Sequence, residues 1–327
     1  MINHDPKPAN DTASVSFNDG RPSDNQQLSH PSSTLAGSIK KVSSVILSIL
    51  AYVVCVAAIA KVLGMLLKTV LPESDQLGTD VLLLLVGVVV IAGILISDGI
   101  MARSGRSRLA FSGWPGLSAG IRGFGIGGAI GLGMVSSMFL MTLLSGGGRW
   151  TIGGGGVSQY LGRVIPLLGC LLVAALWEEW LFRGYPMTKI ATAYGRTSAN
   201  LAIAILFSAA HAAEAGFNPI IAANIVFGSM VIGALRFSRG GIPAAWGFHF
   251  VWNGVQAAAG STLSGMDFGV PVVNWIGRGP QWASGGEFGA EGGIGATVAT
   301  LTVLAGLAIY SRRRRVDLGL IGAATKP

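Results

Sequence analysis

The sequence predicts an all-α membrane protein, a polytopic bundle of about eight transmembrane helices. Of its 327 residues, 51% are hydrophobic and only 12% are charged, and the mean hydropathy is +0.59. Soluble domains carry about 25% charged residues. Several apolar runs are long enough to cross a hydrocarbon layer of about 30 Å, which takes about 20 helical residues. Because lipid cannot satisfy exposed backbone groups, each run is expected to be helical.

Eight apolar segments are expected to form these helices. Their limits are 42–70, 79–101, 119–144, 164–190, 197–215, 218–237, 242–259 and 293–311. Lys and Arg concentrate in every second connecting loop and in the run 312–315, which is the positive-inside pattern. We therefore predict a multi-pass protein of the cell membrane with both termini in the cytoplasm. The same distribution argues against a nucleic-acid partner, despite a net charge of +8.

Composition divides the chain into five segments. The first is polar and rich in Pro, Ser, Asn and Asp, so it is predicted to be disordered. The central segment carries the candidate functional residues described below. The segments are the N-terminal tail 1–36, the N-terminal transmembrane helices 37–160, the candidate functional core 161–260, a glycine-rich loop 261–292, and the last transmembrane helix with a basic cytoplasmic tail 293–327.

The third predicted helix carries a glycine repeat. Gly123, Gly127 and Gly131 recur at four-residue intervals. This spacing places them on one helix face without side chains, on which a second helix can pack closely. We interpret the repeat as a packing surface.

Ionisable side chains within membrane helices cost about 2.5–3.5 kcal/mol on insertion scales, so they are candidates for function. Glu178 and Glu179 lie well inside the fourth predicted helix, and His211 and His249 are the two histidines that follow the N-terminal tail. Glu179 and Arg183 are four residues apart and are expected to form an ion pair on one face. Glu178 is turned about 100° away, with no cation at helical spacing. It is therefore the candidate general base.

Two further motifs place polar side chains on other helices. Phe207 lies one turn before His211 in the fifth predicted helix, and His249 and Asn253 are one turn apart on a common face of the seventh. Each residue alone is more often a packing group. Converging with Glu178 in a bundle core, they could polarise a water molecule and hold the oxygen that becomes negative when a carbonyl is attacked.

These residues resemble the motifs of a known family. The stretch "EEWLFR" matches E-E-x-x-x-R, "FSAAH" matches F-x-x-x-H, and "HFVWN" matches H-x-x-x-N/D of the CPBP intramembrane endopeptidases. That family includes the type II CAAX prenyl endopeptidases and bacteriocin-processing or immunity proteins. The three motifs occur in the family's order and at similar separations, and the resemblance covers about residues 165–256.

The resemblance implies a hydrolase of the membrane, a protease that cleaves a membrane protein or lipidated peptide within or beside the bilayer. It implies that Glu178 activates the hydrolytic water with help from His211. His249 and Asn253 would stabilise the tetrahedral oxyanion. The residues that would hold the site together are Glu179, Arg183 and Phe207.

The requirement for a metal stays open at this stage. Glu178, His211 and His249 could supply a Glu-His-His set that binds Zn²⁺ and leaves one position for water, as in a metalloprotease. A metal-free route uses the same residues, with Glu178 and His211 as the base. We favour the metal-free route because Asn253 is a poor zinc ligand and a good oxyanion donor.

A non-proteolytic function is the alternative. The chain could be a member of the same fold that binds a partner, as an immunity protein does, or a proton-coupled transporter. Inverted repeats would favour a transporter, and the sequence shows no convincing pair of related halves. The depth of two residues in the membrane is a second test. The predicted helix limits place Glu178 and His211 about 5–10 Å apart along the membrane normal, and a real separation of this size would weaken the catalytic interpretation.

Overall fold

The computed structural model describes residues 31–68, 79–103 and 113–320. The chain divides into two units, residues 1–40 and 41–327. The described part of the first unit is helical from Pro31 onward, so the last residues of the predicted tail belong to a helix. The rest of the predicted tail lies outside the described residues, as do the end of the first predicted helix and the last residues of the basic tail.

The architecture is helical with little sheet, which confirms the predicted fold class. Each of the eight predicted helices has a counterpart, and short elements are added between them. The elements are α1 Pro31–Lys68, α2 Thr79–Arg103, α3 Leu117–Leu144, β1 Gly148–Ile152, α4 Val157–Arg183, α5 Tyr185–Tyr194, α6 Arg196–Ala210, α7 Pro219–Arg236, α8 Gly241–Ala258, β2 Val273–Gly277, α9 Gln281–Ser284 and α10 Ile294–Arg314.

Six helical segments of the described residues are long and apolar enough to cross a membrane. They comprise α1, α2, α3, α4 together with α5, α7 and α10. The helix α6 is shorter, with 15 residues, and α8 has 18 residues. Large apolar side chains such as Leu47, Leu66 and Ile121 are exposed on the outside of the bundle. The protein is therefore a multi-pass membrane protein, and the cytoplasmic position of its termini stays a prediction.

The glycine repeat of α3 contacts α8 along its length. A Cβ atom at Gly127 would overlap the carbonyl oxygen of Ala244, and one at Gly131 would lie 2.7 Å from the carbonyl oxygen of Phe248. The two backbones approach this closely because no side chain separates them. This contact holds α8, which carries His249, against α3.

Two predicted helices end earlier than expected. The fourth was predicted to reach residue 190, but α4 ends at Arg183, because Gly184 has a non-helical backbone (ψ −109°) and α5 then begins with Pro186 in its first turn. Proline fits there since the N–H it lacks has no partner in a first turn. The fifth was predicted to reach residue 215, but α6 ends at Ala210 and His211 is its C-cap.

The glycine-rich segment, defined here as residues 260–293, is more ordered than the predicted loop. It contains β2, α9 and two short 3-10 turns. The strand β2 pairs with β1 in an antiparallel ribbon, where Trp275 packs against Trp150 and Phe139. Its glycines at positive φ, such as Gly285 (83°), allow tight turns that hydrophobic periodicity does not reveal.

Candidate active site

A cavity of about 120 Å³ lies among the helices α4, α7 and α8 and the end of α6. It is lined by all four residues that the sequence singled out as candidates for catalysis: Glu178, His211, His249 and Asn253. A space of this size holds several water molecules. The predicted helix limits separated Glu178 and His211 along the membrane normal. In the structure both residues line the same cavity, because His211 lies at the end of the short helix α6.

The ion pair expected on α4 is present. Arg183 Nη1 donates to Glu179 Oε1 at 2.8 Å, and both side chains are fully buried. Arg183 Nη2 also donates to Ser229 Oγ of α7 at 2.6 Å, and the guanidinium lies 4.9 Å from the centre of the Phe207 ring. The pair therefore connects α4 with α7 and α6 directly behind the cavity.

His249 lies between the two glutamates. Its Nδ1 is 2.8 Å from Glu179 Oε1, and since a carboxylate accepts, Nδ1 carries the proton and donates. Its Nε2 is 3.9 Å from Glu178 Oε2, which is too long for a direct hydrogen bond. A water molecule between these two atoms could bond to both. Glu179 thus orients His249 as well as pairing with Arg183, a contact between distant helices that sequence spacing did not reveal.

Glu178 differs from its neighbour in exposure. Its side chain is 21% exposed, whereas that of Glu179 is fully buried. The absence of a cation at helical spacing on α4 does not leave Glu178 isolated, because the partner comes from another helix. Glu178 borders the cavity, and His249 of α8 is the basic group that it faces.

His211 is held from the backbone of its own helix. Its Nδ1 donates to the carbonyl oxygen of Phe207 at 2.7 Å, which leaves Nε2 directed at Glu214, 3.9 Å from Oε1. The Phe207 ring lies 4.6 Å from the His211 ring and 5.9 Å from the His249 ring, between centroids. The phenylalanine ring therefore packs near both imidazoles at the cavity.

Asn253 follows His249 by one helical turn on α8 and is half-buried at the cavity. Its amide carries two N–H donors. Carboxylate, imidazole and amide groups thus reach one space from α4, α6 and α8, and this arrangement can supply a base and hydrogen-bond donors around a water molecule.

Two glutamates of the cavity were not singled out by the sequence motifs. Glu214 follows α6 in the loop to α7, and Glu291 belongs to the glycine-rich segment. Burial raises the pKa of the Glu214 carboxyl to about 8, and the charges of Glu291 and Glu178 add to the rise. The available signal was the rarity of acidic residues in this chain, which has 15 of them. Neither residue lies in a periodic pattern.

The described residues do not form the Glu-His-His zinc set that the sequence left open. No group of three His, Cys, Asp or Glu side chains among them is arranged to hold a metal ion. His249 donates Nδ1 to Glu179 and His211 donates Nδ1 to a carbonyl oxygen, so each histidine has only Nε2 to offer a metal ion. The Glu178, His211 and His249 side chains line one cavity without forming a common ligand shell. We therefore derive no step through a metal.

The fold and the cavity define a multi-pass helical membrane protein with a carboxylate–imidazole site between its helices. Residues 160–255 match a family model described as "Type II CAAX prenyl endopeptidase Rce1-like". This match confirms the resemblance stated above, over less than a third of the chain, and it includes Glu178, His211, His249 and Asn253. Comparisons with curated proteins and with solved structures find no significant match.

Proposed function

We propose that this protein is an intramembrane endopeptidase, which hydrolyses a peptide bond of a membrane-associated protein or lipidated peptide. The observation that carries the proposal is the position of Glu178 Oε2 and His249 Nε2, 3.9 Å apart at a cavity that His211 and Asn253 also line. The match of residues 160–255 to an endopeptidase family supports it.

In the proposed reaction Glu178 is the general base. Its carboxylate takes a proton from a cavity water while the water oxygen attacks the carbonyl carbon of the substrate. His211 assists, because its Nδ1 is committed to the Phe207 carbonyl and its Nε2 is left as an acceptor. Exposure of Glu178 to the cavity is consistent with this role, since a sealed carboxylate could not reach the water.

The attacked carbonyl oxygen becomes negative and requires hydrogen-bond donors. Asn253 offers its amide N–H groups. His249 in its imidazolium form donates from Nδ1 to Glu179 and from Nε2 into the cavity. The Glu179–Arg183 pair has no contact with the reacting atoms in this scheme, and it fixes the imidazole in place.

Collapse of the tetrahedral intermediate breaks the carbon–nitrogen bond. The proton that Glu178 accepted passes to the leaving nitrogen, so the carboxylate is restored and the atoms balance. The products are a new carboxyl terminus and a new amino terminus. In a cavity with room for only a few water molecules, each of these polar interactions is stronger than it would be in bulk water.

The test is hydrolysis by purified protein in lipid nanodiscs, with a library of membrane-soluble peptides. We expect Glu178→Gln and His211→Ala to reduce kcat/KM by about 10²–10⁴-fold, the usual contribution of a positioned base. The matched control is Glu287→Gln, which alters an exposed glutamate of the glycine-rich segment and should leave the rate unchanged.

Equal melting temperatures of the variants would show that the fold is kept. Full activity of both variants would reject the assignment of the base. Absence of cleavage by the wild-type protein, together with peptide uptake or proton flux in proteoliposomes, would favour the transporter alternative. Tight binding of a partner without cleavage would favour the partner-binding alternative.

A further inference from the structure

The glycine-rich segment sends a two-residue hairpin turn, Leu263–Met266, to the cavity. Leu263 N donates to Met266 O at 3.0 Å, and Met266 N donates to Leu263 O at 2.9 Å. The two central residues, Ser264 and Gly265, have φ of 49° and 77°, as a type I′ turn requires. Leu263, Ser264 and Met266 line the same cavity as the candidate base Glu178.

Ser264 is held in an unfavourable conformation. A positive φ is uncommon for a residue other than glycine, and it persists only where the surroundings enforce it. Glu291 Oε1 accepts hydrogen bonds from Ser264 N at 2.9 Å and from Ser264 Oγ at 3.0 Å. The carboxylate therefore holds both donors of the strained residue.

The second oxygen of Glu291 is bound to α8. Glu291 Oε2 accepts from Trp252 Nε1 at 2.8 Å and from Gln256 Nε2 at 3.2 Å. Trp252 immediately precedes Asn253, the candidate oxyanion donor. Glu291 thus joins the 263–266 turn to the helix that carries His249 and Asn253, through four hydrogen bonds in which its carboxylate accepts.

The tip of the turn is packed on its other side. A Cβ atom at Gly265 would lie 3.0 Å from the backbone of Ala215, beside Glu214, and Gly265 N donates to Phe288 O at 3.0 Å. Leu263 is buried in an apolar cluster with residues of α4, whereas Met266 is half-buried at the cavity. Met266 is therefore the apolar side chain of the turn that a molecule in the cavity can reach.

We propose that the 263–266 turn is the specificity-determining wall of the cavity, with Met266 contacting an apolar side chain of the substrate next to the cleaved bond. Glu291 is the positioning residue that fixes this wall relative to α8. The inference rests on the proposed endopeptidase function. A flexible thioether side chain suits contact with apolar groups of varied shape. The wall lies beyond residues 160–255, so the chain selects its substrates with residues outside the family match.

Peptides that differ only in the residue next to the cleaved bond, as Ala, Leu or Phe, test this wall. Met266→Ala enlarges the cavity and is expected to raise the ratio of kcat/KM for Phe over Ala by about 10-fold or more, since one or two methylene groups of fit discriminate to that extent. Met266→Leu nearly conserves volume and should keep the wild-type ratio. An unchanged ratio in Met266→Ala would overturn the proposal.

Glu291→Gln tests the positioning role. A glutamine amide group would oppose two of the four donors, so the turn would lose its fixed position. We expect KM to rise for every peptide and the Phe-to-Ala ratio to approach one, with a smaller change in kcat. Glu287→Gln is the control and should match the wild type. A Glu291→Gln variant with normal KM and normal selectivity would remove Glu291 from the proposal.

A binding measurement separates failure of the wall from failure of the hydrolysis. Photoreactive versions of the same peptides are cross-linked to the wild-type protein and to Met266→Ala in nanodiscs. If no peptide is cleaved but Met266→Ala changes which peptide is captured, the wall is retained and the endopeptidase function fails. If capture is identical in both proteins, or if no peptide is captured, the wall is rejected.

Discussion

The helices α4 and α8 and the glycine-rich segment contribute polar groups to one cavity by different means. On α8, His249 and Asn253 reach it because residues four apart share a helix face, and on α4 the rotation between adjacent residues sends Glu178 and Glu179 to different surroundings. Glu291 reaches it from a run of short turns, where glycines adopt positive φ. Helical spacing is readable in a sequence, and turn geometry of this kind is not.

The difference also separates two ways of stabilising a carboxylate, at the fully buried Glu179 and at the half-buried Glu291. Glu179 has a guanidinium and an imidazole, so its charge is balanced by cationic partners. Glu291 has four hydrogen bonds from neutral donors, two of them on Ser264. Loss of a partner at Glu179 therefore leaves an uncompensated charge in the low-dielectric interior of the protein. Loss of a donor at Glu291 mainly affects the geometry of the 263–266 turn.

The largest effect is expected from Arg183→Met. It leaves Glu179 buried without its guanidinium, and breaking a buried pair in this way costs about 3–5 kcal/mol of unfolding free energy. The double variant Glu179→Gln/Arg183→Met removes both charges and should recover much of that loss. The free energy of unfolding of the single and the double variant is measured in mixed micelles. Glu178→Gln, at the partly exposed neighbour, should change stability far less, and an equal loss there would erase the distinction between the two glutamates.

Helical motifs were sufficient to predict the class of fold, the Glu179–Arg183 pair and the four candidate residues that line the cavity. Three features could not be predicted, each for a physical reason. The contact of His249 with Glu179 joins helices distant in the chain. The end of α6 at Ala210 depends on the turn that follows it. The contacts of Glu291 depend on the backbone conformation of Ser264 and its neighbours, which composition alone does not specify.

A smaller effect is expected from Gly127→Ala on α3. The added methyl group would overlap the carbonyl oxygen of Ala244, so α3 and α8 must separate. Overpacking of this kind costs about 1–3 kcal/mol. Gly125→Ala is the matched control, because nothing lies within 4 Å of a Cβ atom there. If both variants unfold at the same denaturant concentration, the close backbone contact between α3 and α8 does not stabilise the protein.

The smallest effect concerns Glu214, whose carboxyl lies near both Glu178 of α4 and Glu291 of the glycine-rich segment. Its pKa is about 8 in the folded protein and 4.5 ordinarily. As pH rises from 4.5 to 8, the unfolded chain loses this proton while the folded protein keeps it. The contribution of Glu214 to stability is therefore fully present below pH 4.5 and is lost as the pH rises toward 8.

Glu214→Gln cannot lose a proton and should show a flatter profile. Because the Glu214 side chain is 29% exposed, solvent screens part of the effect, and we expect about 1 kcal/mol. That corresponds to about 1–2 °C in melting temperature for a chain of this length. Melting at pH 5 and pH 8 in nanodiscs measures the difference between wild type and variant, with Glu287→Gln as control. Parallel profiles for Glu214→Gln and wild type would mean that the folded protein does not raise the pKa of Glu214, either by burial or by the charges of Glu291 and Glu178.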